Sequence, residues 1–180
     1  NALAAGNPIP DELAARAEVR RQALANGTAN REAAKPFPAA FQQTEAMGWI
    51  PEGWEIESIN KLISVIYGAP FKSSMFIPPG EGMPVIRIRD LKTGTPQNWT
   101  TEDHPKKTLI KTGDVVVGMD AEFRATIWPG ENGYLNQRLF LARPKESSVN
   151  NFFVQHTLAP QLEFEENTQV GTTVSHLGKK

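Results

Sequence analysis

The chain has 180 residues, 39% hydrophobic and 22% charged, with a net charge of −1 and 14 each of Gly and Pro. That length and composition suit one ordinary globular domain rich in turns, and are short for two. The absence of cysteine excludes disulfides, thiolate nucleophiles and cysteine-ligated zinc.

From the N-terminus, Pro10-Asp11 opens a predicted helix, with Asp11 as its cap, Leu13, Ala14, Ala17 and Leu24 near one stripe, and a stop at Asn26-Gly27. Residues 26–46 lose periodicity, and Lys35-Pro36-Phe37-Pro38 favours extended backbone. Residues 1–46 are therefore read as a peripheral helix and linker, and 47–180 as the compact domain. Gly48 to Glu55 reads as a turn anchored by Trp49 and Trp54. Helical spacing of Ile59, Leu62, Ile63 and Ile66 predicts a helix from Ser58 to Tyr67, ended by Gly68.

Val85 to Arg89 alternates as a strand. Val115–Val117 and Phe123–Trp128 suggest a hairpin, Arg138 to Arg143 a further strand stopped by Pro144, and Asn151 to Glu166 a helix with Pro160 at a kink or break. In that helix Phe152, Phe153, Leu158, Leu162 and Phe164 are available for burial. Helices at the ends enclosing irregular strands predict an α/β (α+β) class with a mixed, curved sheet. No apolar run approaches the roughly 20 residues of a spanning helix, and no signal segment opens the chain. A soluble, cytoplasmic protein is expected. With no Met at Asn1, the chain reads as part of something longer.

Charge is unevenly spread. Residues 1–59 carry 5 Lys/Arg and 8 Asp/Glu, residues 60–145 carry 12 and 8, and residues 146–180 carry 2 and 4. The basic middle permits contact with phosphates, because attraction follows the local patch rather than the chain total.

Catalytic and metal-binding patterns are weak. His104, His156 and His176 stand far apart with no ligand at helical spacing, and Ser73, Ser74 and Ser175 lack a nucleophile elbow. Asp114 and Asp120 flank Val115-Val116-Val117, and a continuous strand would hold them roughly 20 Å apart, too far for one substrate bond. Asp114, after Gly113, reads as a turn acid bonding local amides.

The positive candidates are electrostatic. Alternation in Val85-Ile86-Arg87-Ile88-Arg89 puts Arg87 and Arg89 on one face and Ile86 and Ile88 on the other. Those guanidiniums either grip phosphates and guanine edges or form a salt-bridged sheet face with Asp90 or Asp114. The loop Tyr67–Ser74 offers an aromatic, Lys72 and two hydroxyls, and His104-Pro105-Lys106-Lys107 with Lys111 is a basic cluster. Arg124, and the stretch from Asn132-Gly133 to Asn136-Gln137, carry side chains of the kinds that read base edges.

Several short blocks stand in a fixed order: Gly48-Trp49-Ile50-Pro51-Glu52-Gly53-Trp54-Glu55, Ile86-Arg87-Ile88-Arg89-Asp90, Thr112-Gly113-Asp114-Val115-Val116-Val117-Gly118, Asn136-Gln137-Arg138 and Gly171-Thr172-Thr173-Val174-Ser175-His176-Leu177. Together they resemble the target recognition domain of a type I restriction-modification specificity subunit. The resemblance covers about 47–180, and the stretch from Asn7-Pro8 to Phe37-Pro38 looks like that family's connecting sequence. It implies a non-catalytic module without cofactor that reads one half of a split target in double-stranded DNA. It also implies partners in DNA methyltransferase subunits and an endonuclease-translocase subunit. Base-reading loops vary within the family and are not carried over by motif. On the residue chemistry, Lys72, Arg87, Arg89, Lys92, Lys106, Lys107, Arg124, Asn136 and Gln137 are expected to meet DNA. Two rival readings are a protein-interaction module whose basic centre docks an acidic partner, and a small hydrolase or lyase built on Asp114, Asp120 or His176.

Overall fold

Glycines and prolines cut the chain into short elements, and the computed structural model describes residues 1–120 and 123–168. They fall into two compact units, Asn1–Glu57 and a second beginning at Ser58.

In the first unit, α1 (Ala2–Ala5) closes on Gly6 in the left-handed region at φ 70°. A 3-10 turn, Asp11–Leu13, runs into α2 (Ala14–Ala25), which ends at Asn26 as the sequence predicts. The cap is Pro10 rather than Asp11, which sits inside the first turn, because proline's fixed φ already sets the entry angle. Residues 31–34, expected to be aperiodic, form α3 (Arg31–Ala34), where the Asn30 side chain accepts from the Ala33 amide at 3.0 Å. A single capped turn is too short to carry a period. β1 (Phe41–Thr44) and β2 (Gly48–Pro51) pair antiparallel, so half of the expected tryptophan turn is a strand. Trp54 stays 48% exposed, with its ring 5.8 Å from Phe37. This hairpin straddles the expected 46/47 junction, and the units divide at 57/58 instead.

The second unit opens with one helical turn, α4 (Ile59–Leu62), and then β3 (Ile63–Tyr67). The predicted helix over 58–67 is therefore one helical turn followed by a five-residue strand. Ile63, Val65 and Ile66 suit a pleated surface, and pairing with a distant strand supplies the hydrogen bonds a helix would have made locally. There follow β4 (Phe76–Ile77), β5 (Met83–Ile86), α5 (Asp90–Thr93), β6 (Asn98–Thr100), β7 (Leu109–Ile110), β8 (Val115–Gly118), β9 (Ala125–Ile127), β10 (Gly133–Leu135), β11 (Leu139–Pro144) and α6 (Asn151–Thr168).

Two sheets form in this unit. One has five strands in the order β4-β6-β5-β10-β7, and the other four in the order β3-β11-β8-β9. The first is mixed, because β10 runs parallel to β5 and antiparallel to β7. Strand alternation then sorts side chains into layers. Val116, Leu139 and Leu141 of the four-stranded sheet meet Ile86, Ile110 and Leu135 of the five-stranded one, with Trp128 and Leu91. On the other face of the four-stranded sheet, Val115, Val117, Phe140 and Ala142 pack with Val154 and Leu162 of α6. Each fully buried aliphatic side chain contributes roughly 1.5–3 kcal/mol.

The described part of α6 is one helix with Pro160 inside it. Phe152, Phe153 and Phe164, expected to be available for burial, are 63%, 54% and 61% exposed, because the buried stripe runs through Val154, Leu158 and Leu162. The Gly171–Leu177 block, with Ser175 and His176, lies outside the described residues.

Candidate nucleic-acid interface

The five-stranded sheet presents a second face, opposite the core. Tyr134 pairs with Val85 across β10 and β5, and Val85 with Asn98 across β5 and β6, so these residues share that outer face. An aromatic cluster builds on it. The Phe71 ring stacks on Tyr134 at 5.6 Å with planes 5° apart, and His104 packs on Phe71 at 5.5 Å. Ala69, Phe71 and Val85 are buried beneath, with Phe76 and Tyr134 packed beside them.

Cations are set into this cluster. The Lys107 ammonium lies 5.7 Å over the Tyr134 ring and pairs with Asp103, whose carboxylate pushes the lysine pKa up. Arg87 lies 5.6 Å over Phe76 and donates to Asn98 Oδ1 at 3.1 Å. Lys106 follows the same turn, its amide donating to His104 Nδ1 at 3.1 Å, and the Lys72 amide donates to Glu102 Oε2 at 2.9 Å. Arg87 and Lys107 are thus brought to one aromatic face, with the Lys72 and Lys106 backbones anchored to Glu102 and His104. Exposed cations held this way suit nucleic acids, since they meet phosphates and fix register.

The predicted Arg87–Arg89 strand face does not form, because β5 stops at Ile86. Asp90 Oδ2 accepts from the Arg87 amide at 2.9 Å while the Asp90 amide donates to the Arg87 carbonyl, which turns the chain. Arg87 keeps the outer face that alternation assigns it, while Arg89 and Lys92 leave with α5 and stand exposed there. Asp90 itself is fully buried, and among the described residues its Oδ1 has no hydrogen-bond partner. Burial raises its pKa, against the pull of the Arg87 amide and the charges of Arg89 and Arg87.

The remaining candidates lie apart. The Asn136 backbone is clamped by bonds to the Ile86 carbonyl and from the Leu139 amide, both 3.0 Å, and Gln137 sits exposed in the following turn. Arg124 lines a recess on the α6 side with Gln155, Glu163 and Glu166, away from the aromatic face. Asp114 is the turn acid expected, accepting from the Lys111 amide at 2.8 Å, and Asp120, beyond the far end of β8, pairs with Arg138. A cleft of about 620 Å³ adjoins Lys107 and is also lined by Ile66, Thr108, Leu109, Lys111, Asp114 and Arg143.

No protein-family model matches the chain. It is, however, 33% identical over 131 residues to the specificity subunit of the type I restriction enzyme EcoBI from Escherichia coli, a match that spans 73% of this chain. The chain belongs to the type I restriction specificity-subunit family. It covers 28% of the length of that relative. The fold is shared with the HsdS subunit from Thermoanaerobacter tengcongensis, at a TM-score of 0.55 and 22% identity over 88% of this chain and 41% of that one. A chain from a structural study of complex assembly and conformational transition in the type I R-M system gives 0.57 and 20%, over 93% and 39%.

For a specificity-subunit segment, the residues on which the sequence is silent are informative. Tyr134 and Arg143 carry no motif, and Phe71 is only the aromatic of a loop. Tyr134 lies in the three-residue strand Gly133–Leu135, too short to show alternation, and its stacking on Phe71 joins positions that no local pattern connects.

Proposed function

We propose that this chain reads one half of a bipartite DNA target for a type I restriction-modification complex, working in the cytoplasm and doing no chemistry itself. Methylation and cleavage would then be carried out by partner methyltransferase and endonuclease-translocase subunits. The observation that best supports this reading is the outer face of the five-stranded sheet. There Lys107 lies over Tyr134 of the Phe71–Tyr134 stack and Arg87 over Phe76, and Lys72 and Lys106 are proposed to join them. Lysines there supply salt-sensitive affinity, and Arg87, with Asn136 and Gln137 at the neighbouring strand end, supplies base readout. Each good bidentate pair is worth about 1–3 kcal/mol of discrimination. Arg89, Lys92 and Arg124, set on other surfaces, make peripheral contacts at most.

The test is retention of a randomised duplex pool at low salt, followed by sequencing of the bound DNA. Enrichment of a few contiguous bases is expected. Retention without enrichment would reduce the proposal to non-specific binding. No retention would favour a protein-docking module, to which the exposed Phe152, Phe153 and Phe164 of α6 lend support.

A further inference from the structure

The cleft beside Lys107 lies at the edge strand β7 of the five-stranded sheet. Leu109 and Ile66 give it apolar sides, while Lys107, Lys111 and Arg143 bring cations to it. Arg143 is fixed by β11, where it pairs with Ser64 of β3, and Lys111 by the tight turn that its amide closes on Asp114. Of the nearby acids, Asp103 pairs with Lys107, and Asp114, which also lines the cleft, accepts the Lys111 amide through Oδ2. Among the described residues, neither the Lys111 nor the Arg143 side chain has a carboxylate partner within salt-bridge distance. Lys107, Lys111 and Arg143 thus outnumber Asp114, the acidic residue that lines the same open concavity.

Lys107 belongs to both surfaces, lying over Tyr134 on the outer face and lining the cleft. The charged track thus continues from the aromatic face around the sheet edge. We infer that the cleft carries a phosphodiester backbone leaving the outer face, with Lys111 and Arg143 as phosphate contacts that fix register without reading sequence. This rests on the DNA-reading function proposed above and extends its footprint. Phosphates match the site because point charges in a wide, open cleft recognise anions without selecting a base edge.

The experiment compares the full chain with its Lys111→Ala/Arg143→Ala variant on its selected duplex and on unrelated duplexes, across a salt series. Both side chains are exposed, and an unchanged urea midpoint confirms that the fold is kept. Removing two phosphate-neutralising cations should make the slope of log K against log salt shallower by about 1.8, so that from 50 to 200 mM the variant loses about 12-fold less affinity than the wild-type chain. Lys111→Arg/Arg143→Lys, which keeps both charges, should restore most of the slope. Wild-type binding with an unaltered variant slope would overturn the cleft assignment and leave the DNA-reading function standing. A loss confined to particular base positions would overturn its phosphate role in favour of base readout. Failure of the wild-type chain to bind any duplex would remove both.

Discussion

Gly68→Ala is the most exacting test of how the framework positions the Asn136–Gln137 turn. A Cβ built on Gly68 would lie 2.1 Å from the Asn136 carbonyl oxygen, and 2.5 Å from both the Asn136 carbonyl carbon and the Leu135 oxygen. Real approaches of this kind stay beyond about 3 Å, so one backbone segment must give way by roughly 1 Å. Neither is free to do so. Leu135 oxygen accepts from the Ala69 amide at 2.9 Å, the Asn136 amide donates to Ile86 at 3.0 Å, and Asn136 oxygen accepts from the Leu139 amide at 3.0 Å. Overpacking costs about 1–3 kcal/mol, and weakening one backbone hydrogen bond adds about 1 kcal/mol, so a loss of about 2–4 kcal/mol is expected. That is a large fraction of the roughly 5–15 kcal/mol holding a typical domain. Urea unfolding should show a lower midpoint at unchanged slope. Gly113→Ala is the control. Its φ is +90° but nothing lies within 4 Å of a Cβ there, so it should lose only about 1–2 kcal/mol from backbone strain. Gly68→Ala no less stable than Gly113→Ala would refute the close-approach argument.

Burial lets Asp90 hold its proton more tightly in the folded chain than in the unfolded one, where its pKa is near the usual 3.8. Its contribution to stability is therefore full below that value and declines as pH rises through the raised folded pKa. Asn at this position keeps an acceptor for the Arg87 amide, so the stability of wild type minus Asp90→Asn should fall with rising pH across that window and then level off. A difference that rises with pH in urea titrations would reverse the assignment. Lys106→Ala/Lys107→Ala should weaken binding to all duplexes about equally and flatten the salt slope by about 0.9 for each phosphate no longer neutralised; weakening at one base position alone would contradict it. Trp128→Phe removes the Nε1–H bond to the Glu131 carbonyl at 2.8 Å from a fully buried site, and should cost about 1–3 kcal/mol in denaturant unfolding. No change would mean that water replaces the indole.

Much of the local structure follows from short-range chemistry. Val115-Val116-Val117 carries enough β-branched bulk to be a buried strand, Gly113-Asp114 closes its own turn, and Pro144 ends β11 whatever surrounds it. The ordered blocks likewise resemble the specificity-subunit family without any knowledge of the fold, while the basic middle of the chain only permits contact with phosphates. Other features needed the folded chain. Ile59, Leu62, Ile63 and Ile66 satisfy a helical period, yet its second half is a strand because β11, far along the chain, offers it a hydrogen-bonding partner. Arg87 and Arg89 part company because the buried Asp90 carboxylate captures the Arg87 amide. Phe71, His104 and Tyr134 form one surface only after strands of two or three residues pair. Backbone propensities and turn chemistry act over a few residues and are written in the sequence by itself. Strand pairing and the faces it creates are long-range, so the assembly of the candidate interface was decided by tertiary structure alone.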